Sequence, residues 1–285
     1  MKTADIFKEK TVFSLEVFPP KPDSDESVIY STLEQLSDIH PDFISVTYGA
    51  GGGKNGCKTI KIASDIISKY GVSSVAHLPC IGHTKEEIAQ ILDSIKANGI
   101  DNVLALRGDI PEGCEAAGDF RHADELVSFI RENYDLNIIA ACYPETHPES
   151  TSAVEDIKHL KHKVDCGADH LITQLFLDND DFYAFREKTQ LAGINVPIEA
   201  GIMPVTNKRQ IERMVKLCGI KLPTKFVRVL ERYEDNPIAL RDAGIAYAVS
   251  QITDLVAAGV DGIHLYTMNN SFIAHKIYEA VQSLI

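Results

Sequence analysis

Hydrophobic and polar positions along this chain follow two alternating periods. Short, mostly apolar runs end on polar groups: 13–15 on Glu16, 44–46 on Thr47, 75–76 on His77, 103–106 on Arg107-Gly108-Asp109, 138–141 before Tyr143-Pro144-Glu145, 171–173 on Gln174, 198–201 before Met203-Pro204, and 263–265 on Tyr266. Between them lie segments whose apolar residues recur every three or four positions: 26–39, 59–70, 85–97, 123–133, 153–165, 180–191, 208–217, 238–258 and 271–284. About eight strands alternating with helices predict an α/β chain folded as one (βα)8 TIM barrel over 1–285. An extra short helix at 226–231 precedes the last helix and strand.

Five helical segments close on Gly71, Gly99, Gly167, Gly193 and Gly259, each two or three residues before a strand. Glycine suits the left-handed residue that follows a helix, so these are tight structural turns. The loops after the strands are longer and richer in Gly, Pro and polar groups. Polar residues at the carboxyl ends of parallel strands share one rim, so groups far apart in sequence can face one substrate. The pattern predicts an enzyme working at that rim.

Composition narrows the class. A chain of 285 residues can bury roughly three quarters of its unfolded surface without staples. Its cysteines, Cys57, Cys80, Cys114, Cys142, Cys166 and Cys218, are scattered with no Cys-x-x-Cys pair, which suggests neither disulfides nor a metal site and points to a reducing cytoplasm. The start, Met1-Lys2-Thr3-Ala4-Asp5, lacks an apolar leader, and no apolar run is long enough to cross a bilayer. A net charge of −13 argues against a nucleic-acid or anionic membrane partner. Small-molecule chemistry remains.

Glu16 closes the first strand ahead of Phe18-Pro19-Pro20. Burial there would raise its pKa toward the range of a general acid, while a strand-end cap is the alternative. In Arg107-Gly108-Asp109, the glycine lets backbone approach a ligand and Asp109 offers a charge to the mouth; a local Arg107-Asp109 ion pair reads equally well. Gly51-Gly52-Gly53-Lys54-Asn55-Gly56 matches a dinucleotide fingerprint in form, but the next strand ends on His77 instead of an acid, so it reads as a rim loop. His77, Tyr143, His147, Asp156 and Lys163 form a second set; Asp156 and Lys163 share a helix face, which suits the ribose and phosphates of an extended cofactor. The remaining histidines, His162 and His170 among them, read as structural.

The motifs Glu16-Val17-Phe18-Pro19-Pro20, Val46-Thr47-Tyr48-Gly49-Ala50, Leu106-Arg107-Gly108-Asp109, Tyr143-Pro144-Glu145-Thr146-His147-Pro148, Gly201-Ile202-Met203-Pro204-Val205 and Tyr266-Thr267-Met268-Asn269 follow in this order nearly end to end. Together they resemble the catalytic domain of the 5,10-methylenetetrahydrofolate reductase family. The resemblance implies a TIM barrel with noncovalent FAD, without the regulatory extension of eukaryotic relatives. It implies FAD contacts from Thr47, His77, Arg107, Gly108, Asp109, Ala123, Tyr143, His147, Asp156 and Lys163. It makes Glu16 the general acid, assigns Asp109 a catalytic role, and gives Asp109, Gln174 and Gln210 to the folate. NADH or NADPH would be the reductant, and a homo-oligomer or an electron-donor subunit the partner. Asn270 stands where the family usually has Arg, and Pro79 also departs from its pattern. Two alternatives are a cofactor-free barrel lyase and a flavin-binding electron-transfer subunit of a larger folate-reducing complex.

Overall fold

The computed structural model describes every residue except 21–23, 49–52 and 110–117, with backbone alone for 53–55 and 217. Eight strands form a closed parallel barrel in sequence order: β1 (Val12–Val17), β2 (Phe43–Val46), β3 (Ser73–Pro79), β4 (Asn102–Leu106), β5 (Asn137–Cys142), β6 (His170–Thr173), β7 (Ile198–Ile202) and β8 (Gly262–Tyr266). The helices are α1 (Ser27–Ser37), α2 (Gly53–Tyr70), α3 (Lys85–Ala97), α4 (Ala123–Asn133), α5 (Ala153–Asp165), α6 (Asn179–Leu191), α7 (Lys208–Cys218), α8 (Thr224–Tyr233), α9 (Pro237–Ala257) and α10 (Ser271–Val281). The barrel predicted from periodicity is the observed fold, and α8 is the expected extra helix.

Alternate strand residues divide the core in two. Phe13, Leu15, Ile44 and Val46 point outward into the layer beneath the helices, alongside Leu33, Ile66 and Leu92. Inside the barrel, Val12, Phe43, Val75, Leu104, Ile139 and Ile172 form an apolar floor. Each such side chain withdrawn from water contributes about 1.5–3 kcal/mol. The floor is sealed from below by a 3-10 turn, Thr3–Lys8, whose Ile6 and Phe7 pack against it. Asn102 Oδ1 accepts from Thr3 N at 2.8 Å, and Asn137 Nδ2 donates to Thr3 Oγ1 at 2.9 Å. Nothing in the mixed polar opening of the sequence announced this plug.

Four elements differ in extent from the periodic reading. Helix α2 begins at Gly53 instead of residue 59, so Gly53–Gly56 are helical rather than rim loop, while Gly51 and Gly52 lie outside the described residues. Strand β3 continues through His77 to Pro79, which puts His77 within the strand. The first and last segments, read as 26–39 and 271–284, shorten to α1 and α10. The five turn glycines all have positive φ, from 66° at Gly71 to 119° at Gly167, as their position after helices requires. A smaller apolar cluster beside the barrel mouth joins Met203 and Val205 to Ile211 of α7, Phe226 and Leu230 of α8, and Leu240 of α9. Among the described residues no helix is long and apolar enough to cross a membrane.

Candidate active site

Strand β1 carries Glu16 one residue from its end, and neighbouring β8 fixes that end from the side. Thr267 Oγ1 donates to Glu16 O at 2.6 Å. Asn269 Nδ2 donates to Phe18 O at 2.8 Å while its Oδ1 accepts from Phe18 N at 3.0 Å. Met268 and Asn269 hold left-handed backbone, φ 51° and 54°, a strain of order 1 kcal/mol or more per residue that the latch must hold. The Glu16 side chain is 18% exposed, with Oε2 3.5 Å from His77 Nε2 and 3.6 Å from His264 Nε2. Burial pushes the His77 imidazole down to about 4, against the opposing pull of Glu16. His77 is therefore a neutral ring beside the carboxyl, and its Nε2 has no hydrogen-bond partner among the described residues.

Below and beside Glu16 lies a polar layer above the apolar floor. Ser14 Oγ is 2.6 Å from His264 Nδ1 and 2.8 Å from Glu199 Oε1. Ser45 Oγ is 3.4 Å from His264 Nε2. Tyr266 donates its hydroxyl to Thr173 O at 2.7 Å, and burial holds the phenol well above its usual range, hence protonated. Gly201 makes that contact possible, since a Cβ there would sit 2.3 Å from Thr173 O and 2.8 Å from Tyr266 OH.

The opposite side of the mouth is built by β4, β5 and α5. Arg107 forms a bidentate pair with Glu149: Nη2 donates to Oε1 at 2.8 Å and Nη1 donates to Oε2. The guanidinium is paired with Glu149, not with Asp109. Gly108 has φ +89°, and a Cβ there would meet Pro79 Cβ at 2.9 Å; both the dihedral and the space demand glycine. Asp109 is exposed. Tyr143 lies edge-on to His147, centroids 4.5 Å apart, and burial lifts the Tyr143 phenol to about 12. Asp156 organises the loop ahead of α5, accepting from His147 N and from Ser150 Oγ, both at 3.0 Å. Lys163, two turns on, reaches back to donate to Ala141 O at 2.9 Å, and burial lowers its ammonium pKa. Seven-residue spacing thus brings both groups to the β5 side, although Asp156 holds its own loop.

The remaining predicted residues ring the mouth. Thr47 N donates to Val17 O at 3.0 Å, and Ala123 opens α4 after His122. Gln174 is held at the end of β6, its N donating to Cys142 O at 2.7 Å and its Oε1 accepting from Leu175 N at 2.9 Å. Gln210 lies in the first turn of α7 with Nε2 3.6 Å from Met203 Sδ. A carboxyl group set between two imidazoles, one held neutral, is placed for proton exchange with a basic atom of a small molecule in the mouth. No cluster of metal-ligating residues occurs among the described residues.

The family model described as methylenetetrahydrofolate reductase matches residues 2–282. The chain belongs to that family. It is 34% identical to the 5,10-methylenetetrahydrofolate reductase of Escherichia coli (strain K12), over 93% of this chain and 88% of that protein. It is 37% identical to methylenetetrahydrofolate reductase (NADH) 1 of Arabidopsis thaliana, over 94% of this chain but 49% of the plant protein. The chain therefore spans most of its bacterial relatives and about half of its plant ones. A solved Clostridium thermocellum protein, described as binding two copies of 5-methyl-5,6,7,8-tetrahydrofolic acid, shares the fold with TM-score 0.68 at 14% identity, covering 100% of this chain and 99% of its own.

In this methylenetetrahydrofolate reductase-family chain, several groups around the mouth are not marked by the sequence. Ser14, Ser45, Glu199, Glu149 and His264 carry no motif that marks them, whereas His170 is the structural histidine the sequence suggests. Alternation in β1 and β8 already placed Ser14 with Glu16, and His264 with Tyr266, on one face of their strands. That spacing was the available signal for two of them. Glu149 had none, because its partner Arg107 lies 42 residues away.

Proposed function

We propose that this chain reduces 5,10-methylenetetrahydrofolate to 5-methyltetrahydrofolate at the barrel mouth, with FAD as cofactor and a nicotinamide dinucleotide as reductant. The observation that carries the reading is Glu16, mostly buried between His77 and His264 and latched to β8, in a chain of this family. When bound, FAD supplies the hydride chemistry. Glu16 protonates the bridging nitrogen of the folate as its five-membered ring opens. His77, with a pKa near 4, stays neutral at physiological pH and does not take that proton. Asp109 faces the cation that develops on the substrate and stabilises it electrostatically, while Gln174 and Gln210 orient the pterin.

The β5 side fits an anionic cofactor. Lys163 is a deeply placed ammonium bonded to one carbonyl, with donors to spare and, among the described residues, no carboxylate in ion-pair range. A diphosphate would complete it. His77 Nε2 is, among the described residues, a buried polar atom without a hydrogen-bond partner, 3.5 Å from Glu16 Oε2. Thr47, Arg107, Gly108, Asp109, Ala123, Tyr143, His147 and Asp156 would complete the FAD cradle. The free thiols of Cys57, Cys80, Cys142, Cys166 and Cys218 agree with a reducing cytoplasm as the place of work.

The test is a visible flavin spectrum of the purified protein followed by stopped-flow measurement of both half-reactions in Glu16→Gln. The amide keeps size and hydrogen bonding but cannot donate the proton, so flavin reduction by NADH or NADPH should persist. Reoxidation by methylenetetrahydrofolate should fall about 10²- to 10⁴-fold. Near-normal reoxidation would assign the acid elsewhere, and a protein that never takes up flavin would remove the cofactor.

A further inference from the structure

Glu199 is the buried acid that the proposed mechanism leaves idle. It is wholly buried in β7, opposite Gly262 of β8, and room has been made for it: a Cβ on Gly262 would lie 2.8 Å from Glu199 Cγ. Its Oε1 meets Ser14 Oγ at 2.8 Å. Among the described residues its Oε2 has no hydrogen-bond partner, and His170 Nε2 stands 3.9 Å away, beyond hydrogen-bond range. Burial lowers His170 to about 3 and raises Glu199 well above the carboxylate range; the Ser14 hydrogen bond opposes that rise, and Asp42 and Asp261 add to it. Both shifts favour the neutral forms, so Glu199 is a carboxylic acid and His170 a free imidazole.

Ser14 turns this into a direction. A serine hydroxyl has one proton to give, and Ser14 Oγ has two neighbours in hydrogen-bond range, Glu199 Oε1 and His264 Nδ1 at 2.6 Å. A neutral Glu199 places its own proton on the Oε1 side, because Oε2 has no acceptor, and donates to Ser14. Ser14 is then free to donate to His264 Nδ1, which must be bare, leaving the ring proton on Nε2. That N–H faces Ser45 Oγ at 3.4 Å and Glu16 Oε2 at 3.6 Å. With an ionised Glu199 every donor would reverse, and a bare Nε2 lone pair would face Glu16.

We propose that Glu199 is a positioning residue which, through Ser14, fixes His264 as the Nε2–H tautomer and so aims a donor at Glu16. The idea rests on the proposed role of Glu16 as acid. As Glu16 gives up its proton it gains negative charge, and an N–H already pointing at Oε2 stabilises that charge, whereas a lone pair would oppose it. Glu199 moves no proton to the substrate; it is a fixed donor at the far end of the chain.

This distinguishes Glu199→Gln from Glu199→Leu. The glutamine NH2 can donate to Ser14 as the neutral acid does, while leucine cannot. Long-range ¹H–¹⁵N correlation on ¹⁵N-histidine-labelled protein, with the His264 signal assigned by its loss in His264→Gln, reads the tautomer without flavin or folate. Wild type and Glu199→Gln should show Nε2–H, and Glu199→Leu should lose it. Flavin reoxidation by methylenetetrahydrofolate should slow about 10-fold in Glu199→Leu, because at 3.6 Å the Nε2–H acts on Glu16 Oε2 as an electrostatic contact just outside hydrogen-bond range. Reduction by the nicotinamide should be unaffected, and Glu199→Gln should rescue the folate step. An Nδ1–H ring in the wild type, an unchanged tautomer in Glu199→Leu, or a Glu199→Gln as slow as the leucine variant would each overturn the proposal. The expected tautomers in a protein without folate activity would support the hydrogen-bond chain and remove instead the function assigned to Glu16.

Discussion

His170→Leu should stabilise the protein, and by an amount that grows as the solution is made acid. The ring is fully buried against Phe7 and Phe43, with centroids 4.9 Å and 6.2 Å away, and among the described residues neither ring nitrogen has a hydrogen-bond partner. Leucine fills such an apolar socket without polar atoms. A buried unsatisfied polar group costs about 1–3 kcal/mol, so at pH 7.5 the variant should equal or exceed the wild type. Burial depresses the His170 pKa from 6.5 to about 3, so between those values the unfolded chain binds a proton that the folded chain refuses. Stability tied to His170 is complete above pH 6.5 and is lost as pH falls toward 3. The slope is about 1.4 kcal/mol per pH unit.

At pH 4 the wild type has therefore given up about 3 kcal/mol that the leucine variant keeps. His77 and the carboxylates titrate in both proteins and cancel in the difference. Urea unfolding at pH 7.5, 5.5 and 4, followed by circular dichroism, measures it: the advantage of the variant should widen by about 3 kcal/mol across the series. A difference that stays constant with pH would refute the reading of His170 as a buried neutral imidazole. A variant much less stable at pH 7.5 would mean that His170 and Glu199 are a true ion pair, because breaking one strands a buried charge at a cost of about 3–5 kcal/mol.

Two further outcomes follow from the mouth. Gly201→Ala drives a methyl to 2.3 Å from Thr173 O, so it should lower stability by about 1–3 kcal/mol and disturb the Tyr266 hydroxyl, visible as a lower urea midpoint; an unchanged midpoint would show that β6 and β7 separate freely. Asp109→Asn should keep flavin bound and slow only the folate half-reaction, on the order of 10²-fold by analogy with the loss of one transition-state electrostatic contact; equal rates in the two proteins would make Asp109 a loop residue alone.

The barrel was legible in the sequence because its determinants are local. Strand runs, helical periodicity and left-handed glycines at Gly71, Gly99, Gly167, Gly193 and Gly259 depend on neighbours a few residues away, and eight repeats leave one way to bury the apolar faces. The rim position of Glu16, Gln174 and Tyr266 followed from the same rhythm, since a strand end in a parallel barrel is a place in space. Motif order added the family. What the sequence could not display was pairing across the barrel. Ser14 meets His264 and Glu199 from 250 and 185 residues away, Arg107 takes Glu149 in place of Asp109, and Thr3–Lys8 becomes a floor only when eight strands surround it. The character of Glu199 as an acid was equally hidden: one charged letter in an apolar strand is ionised or neutral according to what surrounds it, and closure of the barrel alone removed the water and placed Ser14 and a bare imidazole at its side.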